Sequence, residues 1–339
     1  MALSSVLDGV ELRPRWARWF PVVYKPIKSN KTQEKITVFY WIFQNKLLPL
    51  QVNKKEMKMT RCVLLMAAIL IAVSAKADNI TFADANVKAL CVGNWDTDKD
   101  GELSTEEAAA VTTLGTVFKG KTNITTFDEL RYFTGVTTIG EDAFRGSSIG
   151  PTLTIPGTVK TIGNYAFNNC KSLTRITLQE GVESVGWHTF SGPISYLSLP
   201  SSLTSMSSMA VDPYVNADPS SGIFIPEGDL WVYVHSKTPA TINEFAFYYL
   251  FGEGHLVVPP GTIDAYKAEP GWSHFGEYLV LGDVNGDGAV NVLDVTTLVS
   301  YVLNEPTSPF VEAAADVNGD GNINSLDITA IVSIILNQD

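Results

Sequence analysis

The chain has 339 residues, 45% hydrophobic and 18% charged, with a net charge of -12 at neutral pH. That length allows two or three domains and at least one sizeable core, and the apolar content excludes a largely disordered chain. The charge is divided: residues 1–77 hold 13 Lys/Arg against 4 Asp/Glu, and residues 78–339 hold 11 against 32. The acidic part repels phosphate backbones, which argues against nucleic acid as a partner.

The division has a local cause. Met57-Lys58-Met59-Thr60-Arg61 is a short basic stretch, Cys62–Val73 is a 12-residue apolar run, and Ala75-Lys76-Ala77 is a small-x-small site. Basic start, apolar middle and cleavable end predict a secretory signal peptide over 57–77. The run is too short to span a bilayer, so the mature chain is expected to carry no membrane span. A signal peptide begins a protein, so 1–56 is expected to lie upstream of a true start at Met57 or Met59. The protein is then secreted or held at the cell surface. Its mature cysteines would be Cys91 and Cys170 alone, far apart in sequence, which gives no disulfide framework.

The first acidic loop follows a predicted helix over Ala83–Asn94. Asp96, Asp98 and Asp100 stand at positions 1, 3 and 5 of a 12-residue calcium loop of EF-hand type. Gly101 permits the sharp turn at position 6, Glu102 offers its backbone carbonyl, Ser104 sits at position 9 and Glu107 closes the loop with two oxygens. Alternating carboxylates on a turn bring several oxygens to one point, and a hard cation offsets their repulsion. Leu103 points away from the ion and needs apolar cover. With a second helix over Glu106–Val111, segment 78–125 reads as an EF-hand-like helical cap.

Three phrases recur next: Ile139-Gly140-Glu141-Asp142-Ala143-Phe144, Ile162-Gly163-Asn164-Tyr165-Ala166-Phe167 and Val185-Gly186-Trp187-His188-Thr189-Phe190. Their glycines and phenylalanines are 23 residues apart, and the alternating segments Leu153–Ile155 and Ile176–Leu178 keep the same spacing. A period of roughly 20–29 with one short strand per repeat predicts a solenoid. The phrase, followed by strands ending in Leu-Pro or Ile-Pro, resembles the BspA-like leucine-rich repeats. That resemblance implies a right-handed coil of short strands and adhesion-type binding of a host or bacterial surface protein or glycan. The period blurs over Met206–Gly222, which reads as an irregular loop. Strand-like pieces return at Leu230–Val234 and Leu256–Pro259. Ala265-Tyr266-Lys267 and Gly271-Trp272-Ser273-His274-Phe275 resemble a closing segment, so the repeat region is expected over 126–280.

Two further loops close the chain. Asp283, Asn285, Asp287, Gly288, Asn291 and Asp294 hold positions 1, 3, 5, 6, 9 and 12, and Asp316, Asn318, Asp320, Gly321, Asn324 and Asp327 repeat them 33 residues later. Ala289 and Asn322 would give the backbone ligands at position 7. Segments 282–304 and 315–337 agree at 14 of 23 positions, which marks an internal duplication. Each loop is followed by one apolar helix, Leu293–Leu303 and Leu326–Leu336, and neither is preceded by one. Loop plus exiting helix, twice, with Asp at position 12, resembles a type I dockerin over 281–339. The resemblance implies Ca2+ as cofactor, a cohesin-type domain as partner, and partner contacts at loop positions 10 and 11, here Val292, Leu293, Ser325 and Leu326.

None of His188, His235, His255 and His274 stands in metal-ligand spacing, and no nucleophile or phosphate-loop motif occurs. The expected architecture is mixed α/β: a leucine-rich solenoid between an EF-hand-like cap and an all-α dockerin. The expected function is non-enzymatic binding. A second reading is an accessory part of a polysaccharide-degrading assembly.

Overall fold

Strands form where apolar and polar residues alternate, because successive side chains leave a strand on opposite faces. In Thr152–Ile155 (β1) the leucine and isoleucine are buried and both threonines exposed. Arg175–Leu178 (β2) keeps this alternation, whereas Tyr196–Leu199 (β3), Trp231–Val234 (β4) and His255–Val258 (β5) bury three or four residues in a row and Glu277–Val280 (β6) is only half-buried. All six run parallel in one sheet, in the order of their sequence. Leu153, Ile176, Leu197, Val232, Leu256 and Tyr278 stand in one register line across it. The computed structural model describes residues 78–218, 223–226, 229–250, 252–305 and 308–337. The segment 1–56 expected upstream of the start and the signal peptide expected over 57–77 lie outside the described residues. The chain divides into two compact units, Met1–Lys76 and Ala77–Asp339, and every described residue belongs to the second.

Two narrower parallel sheets complete the coils up to Asp212. One is built from Thr138–Ile139, Thr161–Ile162, Ser184–Val185 and Ser205–Met206, the other from Phe167–Asn168, Phe190–Ser191 and Val211–Asp212. The repeated phenylalanines stack through the core: Phe118 on Phe144 and Phe144 on Phe167 at 4.9 Å, and Phe167 on Phe190 at 5.7 Å. The repeated glycine has a steric cause. A Cβ on Gly163 would lie 2.9 Å from the Glu141 amide nitrogen, and one on Gly186 would lie 2.7 Å from that of Asn164. Two residues after each repeat phrase's glycine the chain turns left-handed without glycine, at Asp142, Tyr165 and His188, with φ between 46° and 60°.

The segment expected as an irregular loop, Met206–Gly222, carries strands within its described part, 206–218. It holds Ser205–Met206 and Val211–Asp212, which continue the two narrow sheets, and Tyr214–Asp218, which pairs antiparallel with Ile223–Pro226. The hairpin is an insertion in the coil, and β4 then takes the next place beside β3. The sequence period blurs here because the insertion lengthens one repeat without breaking the sheet.

Ala85–Trp95 (α1) and Thr105–Ala110 (α2) cover the N-terminal end. Asp84 caps α1 and also receives the Thr125 backbone N–H at 2.6 Å. Leu103 is fully buried, and its carbonyl accepts the Ile80 N–H at 2.8 Å. Trp95 packs on Phe118 and Phe133 at 6.2 and 5.3 Å, which joins this end to the phenylalanine core. At the other end Ile263–Ala268 (α3) brings Tyr266 against Trp272 at 5.3 Å, both fully buried. Val292–Val302 (α4), Glu312–Ala315 (α5) and Ser325–Leu336 (α6) then form the C-terminal region. The one-turn α5 precedes the last loop, where no helix was expected. Leu298 and Ile331 of α4 and α6 pack in one cluster with Tyr196, Tyr233 and Val257 of the sheet.

Candidate metal loops and their contact with the solenoid

In the first loop, left-handed turns at Lys99 and Gly101 fold the acidic residues inward. Ligand oxygens of Asp96, Asp98 and Glu107 converge to within 4.8 Å of one another. Asp96 is held by the N–H groups of Lys99 and Gly101 at 2.6 and 3.0 Å. Glu107 receives Thr97 N–H at 2.7 Å through one oxygen and Ser104 N–H at 3.0 Å through the other. Burial pushes the Glu107 carboxyl upward, but the Ser104 and Thr97 donors outweigh it and bring it down to about 2. Asp100 receives the Glu102 N–H at 2.8 Å. The Glu102 side chain turns outward to Lys88 at 2.7 Å.

The two C-terminal loops share a second pattern. Asp294 is fully buried and accepts N–H groups of Asn285 and Asn291 at 3.0 and 2.8 Å. Asp327 is equally buried and accepts those of Asn318 and Asn324 at 3.1 and 2.9 Å. Asn291 and Asn324 cap α4 and α6, and position 12 completes a capping box in each. Position 1 receives the glycine N–H of position 6: Gly288 to Asp283 at 2.9 Å and Gly321 to Asp316 at 3.0 Å. Asp287 and Asp320 receive the N–H groups of Ala289 and Asn322 at 3.0 and 2.8 Å.

Burial raises the Asp283 carboxyl, its N–H donors pull it down, and the neighbouring Asp294 and Asp287 push it up. Burial likewise raises Asp316, with Asp327 and Asp320 adding to the rise and Gly321 and Arg175 opposing it. Each loop thus gathers oxygens at a cost in mutual repulsion. The Asp316 Oδ1 atom is buried and takes no hydrogen bond. A buried carboxylate oxygen in that state costs roughly 1–3 kcal/mol or more. The side-chain donors brought together are carboxylate and amide oxygens, without imidazole or thiolate. That set fits a hard divalent cation such as calcium, and not a soft one.

Comparison with known families finds two matches. Residues 281–336 match the dockerin type I domain, and residues 115–213 match the BspA type leucine-rich repeat region in six copies. The chain therefore joins BspA type repeats to a type I dockerin. No curated protein matches the chain. The dockerin domain begins one residue after β6 ends, at Leu281, whose N–H bonds Val258 of the sheet at 2.8 Å. The four residues at loop positions 10 and 11 all lie on the surface: Val292 is 65% exposed, Leu293 55% and Leu326 60%, and Ser325 is exposed beside it.

Sequence reasoning missed what the sheet does to the last loop of the dockerin. Arg175, on the outward face of β2, pairs with Asp316 at 3.2 Å. Its guanidinium lies 3.3 Å over the centre of the Tyr196 ring. Nothing in the loop motif points to a partner 141 residues away. The available signal was an arginine among threonines at an outward strand position. Beside this contact, a cleft of about 930 Å³ opens between the sheet and the loop, lined by Thr154, Thr177, Ser198, His235, Asn318 and Asp320 among others. The outward sheet face is thus divided: the dockerin covers Tyr233 and Val257, while Thr152 and Thr154 stay exposed.

Proposed function

We propose that this is a secreted, calcium-dependent binding protein with no catalytic role. Its repeat region binds a surface protein or glycan, and its dockerin domain attaches it to a cohesin-type partner. Dockerin domains bind cohesins, and both module types found here are non-catalytic binding modules. The observation that carries the reading is the C-terminal pair, in which buried carboxylates face inward while Val292, Leu293 and Leu326 stand exposed beside them.

In this reading Asp96, Asp98, Asp100, Glu107 and the Glu102 carbonyl hold one calcium, and 78–125 is an EF-hand-like cap. Asp283, Asn285, Asp287, Asp294 and the Ala289 carbonyl hold a second. Asp316, Asn318, Asp320, Asp327 and the Asn322 carbonyl hold a third. Calcium supplies charge neutralisation that shapes each loop, and the loops in turn fix the start of α4 and α6. Val292, Leu293, Ser325 and Leu326 then meet the partner. The ligand of the repeat region reaches the uncovered part of the sheet face, beside Thr152 and Thr154. In a second reading, favoured by the dockerin match alone, the chain is an accessory of a polysaccharide-degrading assembly.

The test is capture of the mature chain on immobilised cohesin domains, with calcium and with chelator. Retention in calcium and release by chelator is expected. Absence of retention in both conditions would remove the cohesin partner and the second reading with it.

A further inference from the structure

The two C-terminal loops agree in almost every motif position, yet they meet different surroundings. In the 283–294 loop both oxygens of the first aspartate are satisfied from within: Asp287 N–H reaches one at 3.0 Å and Gly288 N–H the other at 2.9 Å. In the 316–327 loop, Gly321 N–H takes Asp316 Oδ2 at 3.0 Å. The Asp320 N–H instead bonds Asn318 at 2.8 Å, and Asp316 Oδ1 has no hydrogen bond. The compensation comes from outside the loop. Arg175 reaches the same Oδ2 at 3.2 Å, with its side chain 30% exposed and that of Asp316 11%.

Arg175 is itself held in place. Its guanidinium lies on the Tyr196 ring, which packs on Tyr233 at 4.7 Å within the cluster that joins sheet and helices. Gly321 gives the approach its room: a Cβ there would lie 3.2 Å from Arg175 Nη2. A fixed cation beside a buried carboxylate offsets the cost of that charge. It approaches the oxygen bonded to Gly321 and leaves Oδ1, which is buried without a hydrogen bond, unengaged. The arginine therefore leaves the ion's place open and acts on the carboxylate that shapes it.

We propose that Arg175 is a positioning residue of the last loop, holding Asp316 in place when calcium is absent. The solenoid then preserves the shape of 316–327 without the ion, while 283–294, with no such cation among the described residues, loses its shape. This rests on the calcium reading above. It adds that two loops of nearly one sequence differ in calcium dependence because one leans on a neighbouring module.

Hydrogen–deuterium exchange on the full chain tests it, with and without chelator, for the wild type, Arg175→Gln and Arg175→Lys. In the wild type, chelation should speed exchange at 283–294 about tenfold more than at 316–327, the scale of one lost charge-assisted hydrogen bond. In Arg175→Gln both loops should open together, and added calcium should restore protection at 316–327, which a misfolded variant would not allow. Arg175→Lys should keep part of the difference. Equal opening of both loops in the wild type would overturn the proposal and leave the calcium reading standing. So would a difference that survives in Arg175→Gln. If chelator changes exchange at neither loop, the calcium reading fails and the proposal falls with it.

Discussion

The repeat region and the dockerin domain are built on opposite terms. The repeats rest on apolar packing: Phe144, Phe167 and Phe190 are fully buried and coil amides bond the next coil, and the buried oxygens left without a hydrogen bond there include the neutral hydroxyls of Thr158 and Tyr196. Cys170 is kept as a packed thiol, its hydrogen taken by the Phe144 carbonyl at 3.1 Å and its ionisation pushed up by burial. The dockerin buries Asp294 and Asp327 instead, and carries a partnerless buried oxygen on Asp316. The first region is stabilised by apolar area, the second by whatever completes its oxygens. A shared cluster of Tyr196, Tyr233 and Val257 with Leu298 and Ile331 joins them, so two kinds of stability meet along one sheet face.

The contrast can be broken most strongly from the apolar side. Phe167→Ala removes a ring stacked on both sides, and should cost about 3–5 kcal/mol. Tryptophan fluorescence reports it, because Trp95, Trp187, Trp231 and Trp272 all precede the dockerin. A loss under 1 kcal/mol would mean that the coils are not coupled through their phenylalanines. Chelation attacks the other side. With calcium at roughly 100–1,000 times its dissociation constant, removal should cost the dockerin about 2.7–4.1 kcal/mol for each of its two sites. Helical circular dichroism should fall while hydrogen-exchange protection of the repeat amides holds, and a simultaneous loss would show that the two regions unfold as one.

Asp294→Asn is a smaller change within one loop. It removes a charge that accepts two backbone N–H groups, and should cost about 1–3 kcal/mol. Calcium titration should show one fewer site. An unchanged stoichiometry would take Asp294 out of the ligand set. The smallest effect is on pH. Burial lowers both His188 and His235 below the usual histidine value of 6.5, against the opposing charges of Asp212 and Glu180. A lowered histidine binds fewer protons folded than unfolded, so stability is intact above 6.5 and falls as pH drops below it. Urea midpoints of the repeat region should therefore decline from pH 7.5 to 5.5. Replacing both histidines with glutamine should flatten that decline, and a persistent slope would assign it to other groups.

Much of this was legible in the sequence because repetition amplifies weak signals. A spacing of 23 in Gly140, Gly163 and Gly186 points to stacked coils, and the backbone contacts at Gly163 and Gly186 supply the reason. The acidic loops were legible because their turns demand particular residues, as at Gly101, Gly288 and Gly321, all left-handed. The hairpin at 214–226 was not, because an insertion destroys the period that would reveal it. Nor was Arg175 with Asp316, because a contact between modules leaves no mark in the local pattern of either one. Nor does the repeat pattern say how much of the sheet face stays open, because only the packing of α4 and α6 shows what is covered.

The strand β6 passes into the first dockerin loop with only Leu281 and Gly282 between Val280 and Asp283. A hinge would need slack there, and the Leu281 bond to Val258 and the Gly282 bond to Ala314 remove it. Tension applied to the C-terminal helices would be carried straight into the ladder of hydrogen bonds between β6 and β5 and resisted in shear. A tether of this kind transmits force and orientation to the coils, where a flexible linker would absorb both.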